Sequence, residues 1–207
     1  AGFGGTHDER IEAAHLLLEK ADGIVELARN KLGTREERFL RVLKLRGSRY
    51  LEGLHAFRLG GDGLEVYPRL VSPETPPPYE LLKEQVPTGV AGLDKILEGG
   101  LFRGRCTLVL GPTGSGKTTL ALQFVLEGVG RGEKCMYVSF EENPAQLASQ
   151  IRTLGMDPTQ EGLRLLYVSP VDLQIDSIVT TIFRAIRDGD IRRVVIDAVG
   201  DLIGAAS

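Results

Sequence analysis

The chain has 207 residues, of which 42% are hydrophobic and 26% are charged, and its formal net charge is −3. Its apolar segments are about 5 to 8 residues long, which is too short for a membrane-spanning helix and suits buried strands. The acidic balance disfavours a protein that binds nucleic acid mainly by neutralising phosphates, because such proteins carry a clustered basic surface.

Cysteine usage and the start of the chain favour a cytoplasmic protein. The chain does not open with the charged and apolar regions of a secretory signal peptide. Its two cysteines, Cys106 and Cys135, each lie in an apolar, strand-like run. We therefore expect buried, reduced thiols rather than a disulfide or a metal-binding pair.

The first part of the chain, residues 1–70, is predicted to contain one helix and several strands. Apolar residues at helical spacing indicate a helix over Asp8–Lys20. A glycine-rich turn at residues 60–63 separates the last two of the expected strands. These strands are Ile24–Ala28, Phe39–Leu45, Ala56–Leu59 and Leu64–Tyr67.

A proline-rich linker is predicted over residues 71–87. The stretch Ser72–Tyr79 carries four prolines, which exclude it from a central strand or a helix interior. We expect an extended, semi-rigid segment that separates two parts of the protein.

The second part, residues 88–207, alternates between short apolar runs and helical patterns. The repeated βα units predict an α/β fold, with a parallel sheet covered by helices on both faces. Because a sheet of this kind usually continues beyond its fourth strand, we interpret the domain as incomplete. The predicted strands are Cys106–Leu110, Cys135–Phe140, Leu163–Val168 and Arg193–Ile196, and the predicted helices are Lys117–Glu127, Pro144–Leu154 and Leu173–Arg187.

A P-loop follows the first of these strands and opens the first helix. The pattern of a glycine, four variable residues and Gly-Lys-Thr is complete. Its glycines let backbone N–H groups converge on a phosphate, Lys117 can reach the β- and γ-phosphates, and Thr118 offers a hydroxyl to Mg²⁺. The sequence therefore predicts binding of ATP with Mg²⁺. The residues concerned are Gly111, Pro112, Thr113, Gly114, Ser115, Gly116, Lys117, Thr118 and Thr119.

A second Mg²⁺-binding group is expected at the end of an apolar strand about 80 residues downstream. Asp197 directly follows the run 193–196, and its carboxylate would hold the metal through a coordinated water. The alternative is an aspartate that only caps the following segment. Its pairing with a P-loop favours the metal role.

Two adjacent acids, Glu141 and Glu142, follow the strand Cys135–Phe140. Ligands of parallel sheets bind at the carboxyl ends of the strands, so both carboxylates should face the γ-phosphate. Either could orient or deprotonate an attacking water. The alternative is two solvated acids that begin the next helix, where glutamate is favourable against the helix dipole. Charge patterning alone does not separate the two interpretations.

From Pro87 onward the sequence resembles the KaiC-type ATPases of the RecA superfamily. The resemblance extends to the first part, where segments are similar to the closing strands of a KaiC-type domain. The residues that carry it are Thr88-Gly89, Leu93–Leu97, Gly99–Leu101, Gly104, the P-loop, Leu120, Gln123-Phe124, Gly128, Gly132-Glu133, Tyr137–Glu142 and Val194–Asp197, with Ala21–Leu27, Leu43–Ser48, Gly63 and Val66–Arg69 in the first part.

The resemblance implies a RecA-like fold in a tandem protein. Residues 1–70 would close a first KaiC-like domain, and residues 88–207 would open a second. It also implies catalytic roles for Glu141 and Glu142 and a hexameric ring with ATP held between subunits. In such a ring, Lys44 and Arg46 would act on the nucleotide of the neighbouring subunit. Without the resemblance, both side chains would be assigned to a solvated strand face.

The sequence departs from the family at Ala198 and Gly200, where hydroxyl residues are frequent. The chain neither supports nor excludes autokinase activity. Three functions stay open and are ranked in this order: an ATP hydrolase in a hexamer, an ATP-held switch that presents a surface to a protein signalling partner, and a RecA-like motor on DNA.

Overall fold

The computed structural model describes residues 20–32, 35–71, 82–169 and 175–200. The chain divides into two compact units, Ala1–Val71 and Ser72–Ser207. Apart from its last residue, the predicted helix Asp8–Lys20 lies outside the described residues, as does the proline-rich stretch Ser72–Tyr79.

The first unit contains a four-stranded antiparallel sheet in the order β1-β2-β3-β4. All four predicted strands are present, and the first two are longer than the apolar pattern indicated. The β3–β4 hairpin closes where Gly60 pairs with Gly63, as the glycine-rich turn predicts. The strands are β1 (Gly23–Leu32), β2 (Arg35–Leu45), β3 (His55–Gly60) and β4 (Gly63–Tyr67).

The second unit is built around a parallel sheet of three described strands in the order β8-β7-β9. A small antiparallel ribbon, which the sequence did not predict, precedes the P-loop, and a short helix lies between its two strands in the sequence. The ribbon consists of β5 (Gln85–Val86) and β6 (Leu101–Phe102), with α1 (Ala91–Ile96) between them. The remaining elements are α2 (Lys117–Gly130), β7 (Cys135–Ser139), α3 (Pro144–Thr153), β8 (Leu163–Tyr167), α4 (Ile175–Gly189) and β9 (Arg193–Asp197).

Strand β7 is the centre of this unit, and helices cover both of its faces. Because successive side chains of a strand point to opposite faces, Cys135 and Tyr137 pack against α2 and α3, whereas Met136 and Val138 pack against α4. All four side chains are fully buried. The predicted α/β architecture is confirmed. Within the described part of the chain, no helix is long and apolar enough to cross a bilayer.

The predicted strand Cys106–Leu110 is wrong for this structure. Residues 106–110 belong to no helix or strand, and Leu108 and Leu110 are 66% and 82% exposed. An apolar run becomes a strand only where a neighbour supplies backbone hydrogen bonds, and no described strand pairs with this one. The helix that the P-loop opens is present, but the strand expected before it is not.

The two cysteines differ in exposure, because only one of them lies in a strand of the sheet. Cys106 is exposed, contrary to the expectation that it is buried, whereas Cys135 is buried in β7. Burial raises the pKa of the Cys135 thiol to about 11. Since the thiolate is the reactive form, Cys135 is the less reactive of the two.

Gly128 lies where α2 packs closely against the sheet, and replacing it by alanine should destabilise the fold. An added Cβ would stand 2.6 Å from Cys135 Sγ and 2.7 Å from the buried Arg193 side chain. We expect Gly128→Ala to lower the free energy of unfolding by about 1–3 kcal/mol, as overpacked cores do. Urea denaturation measures this change.

Gly130→Ala is the matched control, because Gly130 lies in the same helix with open space around its Cβ position. Removing the backbone freedom of a helical glycine should raise the free energy of unfolding, by about 0.5 kcal/mol or less near a helix end. Equal effects of the two substitutions would contradict the close packing assigned to Gly128.

Candidate functional site

The P-loop forms the start of α2. Gly114 and Gly116 have φ values of 79° and 92°, which glycine adopts without strain and most other residues do not. Gly116 is the N-cap of the helix, no side chain caps it, and the first turn carries no acidic residue. The helix therefore presents unpaired N–H groups and a positive dipole end, which together suit an anion.

Lys117 is the first residue of α2, and its side chain turns back over the loop. Its Nζ donates a hydrogen bond to the carbonyl oxygen of Pro112 over 3.0 Å. The ammonium group is thus held above the loop on a flexible stem. A phosphate bound in the loop would lie within reach of the same charge.

Asp197 and Thr118 meet at the carboxyl edge of the sheet. The Thr118 hydroxyl donates to Asp197 Oδ2 over 2.9 Å across 79 residues of sequence. The backbone N–H of Phe140 also donates to the carbonyl oxygen of Asp197 over 2.7 Å, which keeps the ends of β7 and β9 side by side. The two residues predicted to bind a metal are therefore in direct contact.

Tyr137 joins the same carboxylate, and the sequence did not predict it as a site residue. Its hydroxyl donates to Asp197 Oδ2 over 2.6 Å. Burial, followed by the hydrogen bond and negative charge of Asp197, raises the pKa of Tyr137 far above its ordinary value. The phenol consequently stays protonated and acts as a hydrogen-bond donor.

Glu141 and Glu142 follow β7 at this edge, and their environments differ. Gln150 donates from Nε2 to both carboxylate oxygens of Glu142 over 2.8 and 2.7 Å. The backbone N–H of Glu142 donates to Ser139 Oγ over 3.0 Å. Glu142 is thereby held in one orientation, whereas Glu141 is exposed.

Helix α3 carries Gln150, and its start is well defined. Asn143 accepts hydrogen bonds from the backbone N–H groups of Ala145 and Gln146, and the Gln146 side chain bonds back to the N–H of Asn143. This reciprocal cap, with Pro144 at the first helical position, fixes where α3 begins. It thereby sets the distance from Glu142 to Gln150.

A cavity of about 390 Å³ lies between the P-loop, the end of β7 and α3, a size that suits a small-molecule ligand. The predicted residues that line it are Thr113, Gly114, Gly116, Lys117, Thr118, Thr119, Glu141, Glu142 and Asp197. Four further residues also line it, Leu122, Gln150, Thr153 and Leu154. Gly111, Pro112 and Ser115 belong to the loop but not to the lining.

The donor atoms at this edge fit a magnesium ion. Mg²⁺ prefers oxygen ligands and is usually held by one or two carboxylates together with substrate phosphates and waters. The Thr118 hydroxyl and the Asp197 carboxylate supply such oxygens beside the phosphate loop, 2.9 Å apart. Two protein ligands are enough for such a site, because phosphates and waters complete the coordination of the ion.

Lys44 and Arg46 lie in the first unit, within or directly after β2, and not in the cavity. The Arg46 guanidinium contacts the Asp22 carboxylate over 3.2 Å, with both side chains largely exposed. A pair this exposed contributes little stability. The role predicted for both residues concerns a neighbouring subunit and stays a prediction.

Most of the second unit matches a known protein family. A family model described as "ATPase: KaiC" matches residues 86–206. The matched stretch begins in the β5 strand and includes the P-loop, both glutamates and Asp197.

Curated relatives are similar over most of the chain. The Circadian clock oscillator protein KaiC of Picosynechococcus sp. is 30% identical over 190 residues, covering 88% of this chain and 36% of the relative. That of Rippkaea orientalis is 30% identical, with 88% and 35% covered. That of Synechococcus elongatus is 29% identical, with 90% and 36% covered. The chain thus spans about a third of the length of these relatives.

Proposed function

Because the chain belongs to the KaiC family of ATPases, with its RecA-like P-loop fold, we propose that the complete protein hydrolyses ATP with Mg²⁺ at this cavity. The observation that carries the proposal is the Thr118–Asp197 hydrogen bond of 2.9 Å. It joins the phosphate loop to the acidic strand end in a cavity that both glutamates also line.

Binding uses the groups at the start of α2. The uncapped N–H groups of the helix and the glycine backbone hold the β-phosphate, and Lys117 reaches the β- and γ-phosphates. Thr118 and Asp197 hold the metal ion. When bound, Mg²⁺ would supply positive charge that offsets the negative charge developing on the phosphates.

Hydrolysis uses the glutamate pair. A water beside the γ-phosphate needs an acceptor that orients it or takes its proton. Glu142 is held by Gln150 in one orientation beside the phosphate loop, so it can serve as that acceptor without reorganising. Glu141 lines the same cavity and adds negative charge to it.

We also propose that the protein assembles as a hexamer with ATP between subunits, in which Lys44 and Arg46 reach the neighbouring nucleotide. The family resemblance supports this proposal. A cationic side chain near the γ-phosphate would stabilise developing charge and would respond to loss of that phosphate.

The test measures ATP turnover by the complete parent protein and its mass with and without Mg-ATP. Lys117→Met serves as the control that removes the phosphate-binding charge and keeps the length of the side chain. We expect turnover and a nucleotide-dependent hexamer in the wild type, and both to be reduced in Lys117→Met at the same ATP concentration. The lost charge-assisted hydrogen bonds, about 1.5–3 kcal/mol each, should weaken ATP binding by about 10-fold or more.

Two other results would change the conclusion. A hexamer that forms on ATP without turnover would identify an ATP-held switch, which presents its surface to a signalling partner. Turnover that survives Lys117→Met unchanged would mean that ATP is hydrolysed elsewhere.

A further inference from the structure

Tyr137 is a buried residue of the site that the proposed chemistry does not yet use. It lies in the middle of β7 and is 0% exposed. Its ring packs with residues of α2 and α3, while its hydroxyl donates to Asp197 Oδ2 over 2.6 Å. A buried tyrosine hydroxyl needs a partner, and here that partner is the carboxylate assigned to the metal.

The strand register explains how this contact arises. Tyr137 pairs with Val195, and Ser139 pairs with Asp197. Asp197 therefore lies on the same face of the sheet as Tyr137, two residues closer to the carboxyl edge, which is about 6.6 Å. A tyrosine that leans along its strand covers this distance. A serine or threonine at the same position would not.

We propose that Tyr137 is a positioning residue of the magnesium site, an inference that rests on the proposed function. The hydrogen bonds from Thr118 and Tyr137 both fall on Oδ2 of Asp197, and none from the described residues falls on Oδ1. Two donors on one oxygen restrict rotation of the carboxylate, so that Oδ1 keeps a constant direction. Outer hydrogen bonds of this kind order a ligand before the metal arrives.

The same carboxylate also orients the hydroxyl of Thr118. Its hydroxyl has one proton, which it donates to Asp197, and this leaves its oxygen lone pairs available to a cation. If the Tyr137 hydroxyl were removed, the bond from Thr118 would be the remaining restraint on the carboxylate among the described side chains. Asp197 could then rotate, and Thr118 would lose its fixed acceptor.

The test compares the complete parent protein with its Tyr137→Phe variant, which loses one oxygen atom and keeps the ring. Mn²⁺ affinity is measured in the presence of ATP from the electron paramagnetic resonance signal of free Mn²⁺. We expect the affinity to fall by about 10-fold or more. ATP affinity in EDTA should stay the same, because the phosphate loop is untouched, and the midpoint of thermal unfolding reports any loss of stability separately.

Tyr167→Phe is the matched control, since this tyrosine lies on the neighbouring strand β8 and is 38% exposed. It should leave Mn²⁺ affinity unchanged. Equal Mn²⁺ affinities of wild type and Tyr137→Phe would overturn the positioning role alone. If Mn²⁺ does not bind the wild-type protein with ATP, the proposed metal site fails, and the positioning role fails with it.

Discussion

Replacing both Glu141 and Glu142 by glutamine is expected to lower the rate of ATP hydrolysis by about 10²–10⁴-fold, the usual contribution of a general base. Glutamine keeps the shape of each side chain but cannot take a proton from water. Neither carboxylate forms part of the phosphate loop, so ATP affinity should be preserved. Single-turnover hydrolysis and equilibrium ATP binding by the complete protein measure the two quantities.

The single substitutions should not be equivalent. Gln150 holds both oxygens of Glu142, so Glu142→Gln removes an acceptor that is already oriented, and we expect it to account for most of the loss. Glu141→Gln should have the smaller effect. Glu161→Gln, an exposed acid outside the cavity, is the control and should turn over ATP like the wild type. A double variant that hydrolyses ATP at the wild-type rate would refute the catalytic assignment.

The geometry of the P-loop could be predicted because it depends on consecutive residues. Gly116, Lys117 and Thr118 are consecutive, and they form a helix N-terminus that suits an anion without contacts from distant parts of the chain. Likewise, the alternation of β7, α3 and the later elements follows from apolar runs of different period. Asp197 could be singled out because it directly follows an apolar strand about 80 residues after the P-loop.

Tyr137 and Gln150 could not be predicted, because their roles depend on contacts between elements. Tyr137 lies within an apolar run, where its ring alone accounts for its presence. Only the register of β7 against β9 brings its hydroxyl to Asp197. Gln150 is one of several polar residues on α3, and only the start of that helix decides that it reaches Glu142.

Residues 106–110 show the opposite error. Their apolar character predicted a buried strand, but the structure leaves all five residues exposed. Pairing is a property of two strands and cannot be derived from the sequence of one. Arg193 was predicted only as the first residue of a strand, where a charge is ordinarily solvated. Its burial follows from three distant groups that surround it in the folded chain.

Replacing Arg193 by methionine is expected to lower the free energy of unfolding by about 3–5 kcal/mol, the usual loss when one partner of a buried ion pair is removed. Arg193 is 3% exposed and pairs with Glu133. Its Nη1 also donates to the carbonyl oxygens of Pro87 and Phe124 over 2.7 and 3.0 Å. Methionine has similar length but would leave all three acceptors short of a donor.

The pH dependence of stability gives a second test of the Arg193–Glu133 pair. Burial raises the pKa of Glu133, but hydrogen bonds from Arg103 and Arg193 outweigh burial and hold that pKa below its ordinary value. Its ionised form therefore stabilises the fold above about pH 4.3, and this contribution is lost as the pH falls further. In Arg193→Met the loss of stability on acidification should be shallower, because less of the contribution remains to be lost.

Arg131→Met is the matched control, because it removes an ion pair that is similarly short but much more exposed. Arg131, which directly follows α2, pairs with Glu127 of that helix over 2.6 Å, but their side chains are 56% and 30% exposed. Because water screens such a pair, we expect its loss to change the free energy of unfolding by about 0.3–0.5 kcal/mol. Urea denaturation at neutral pH compares the two variants directly. Similar losses in both would mean that burial adds nothing to the Arg193 pair, and that the β9 strand carrying Asp197 is held by its backbone and apolar contacts alone.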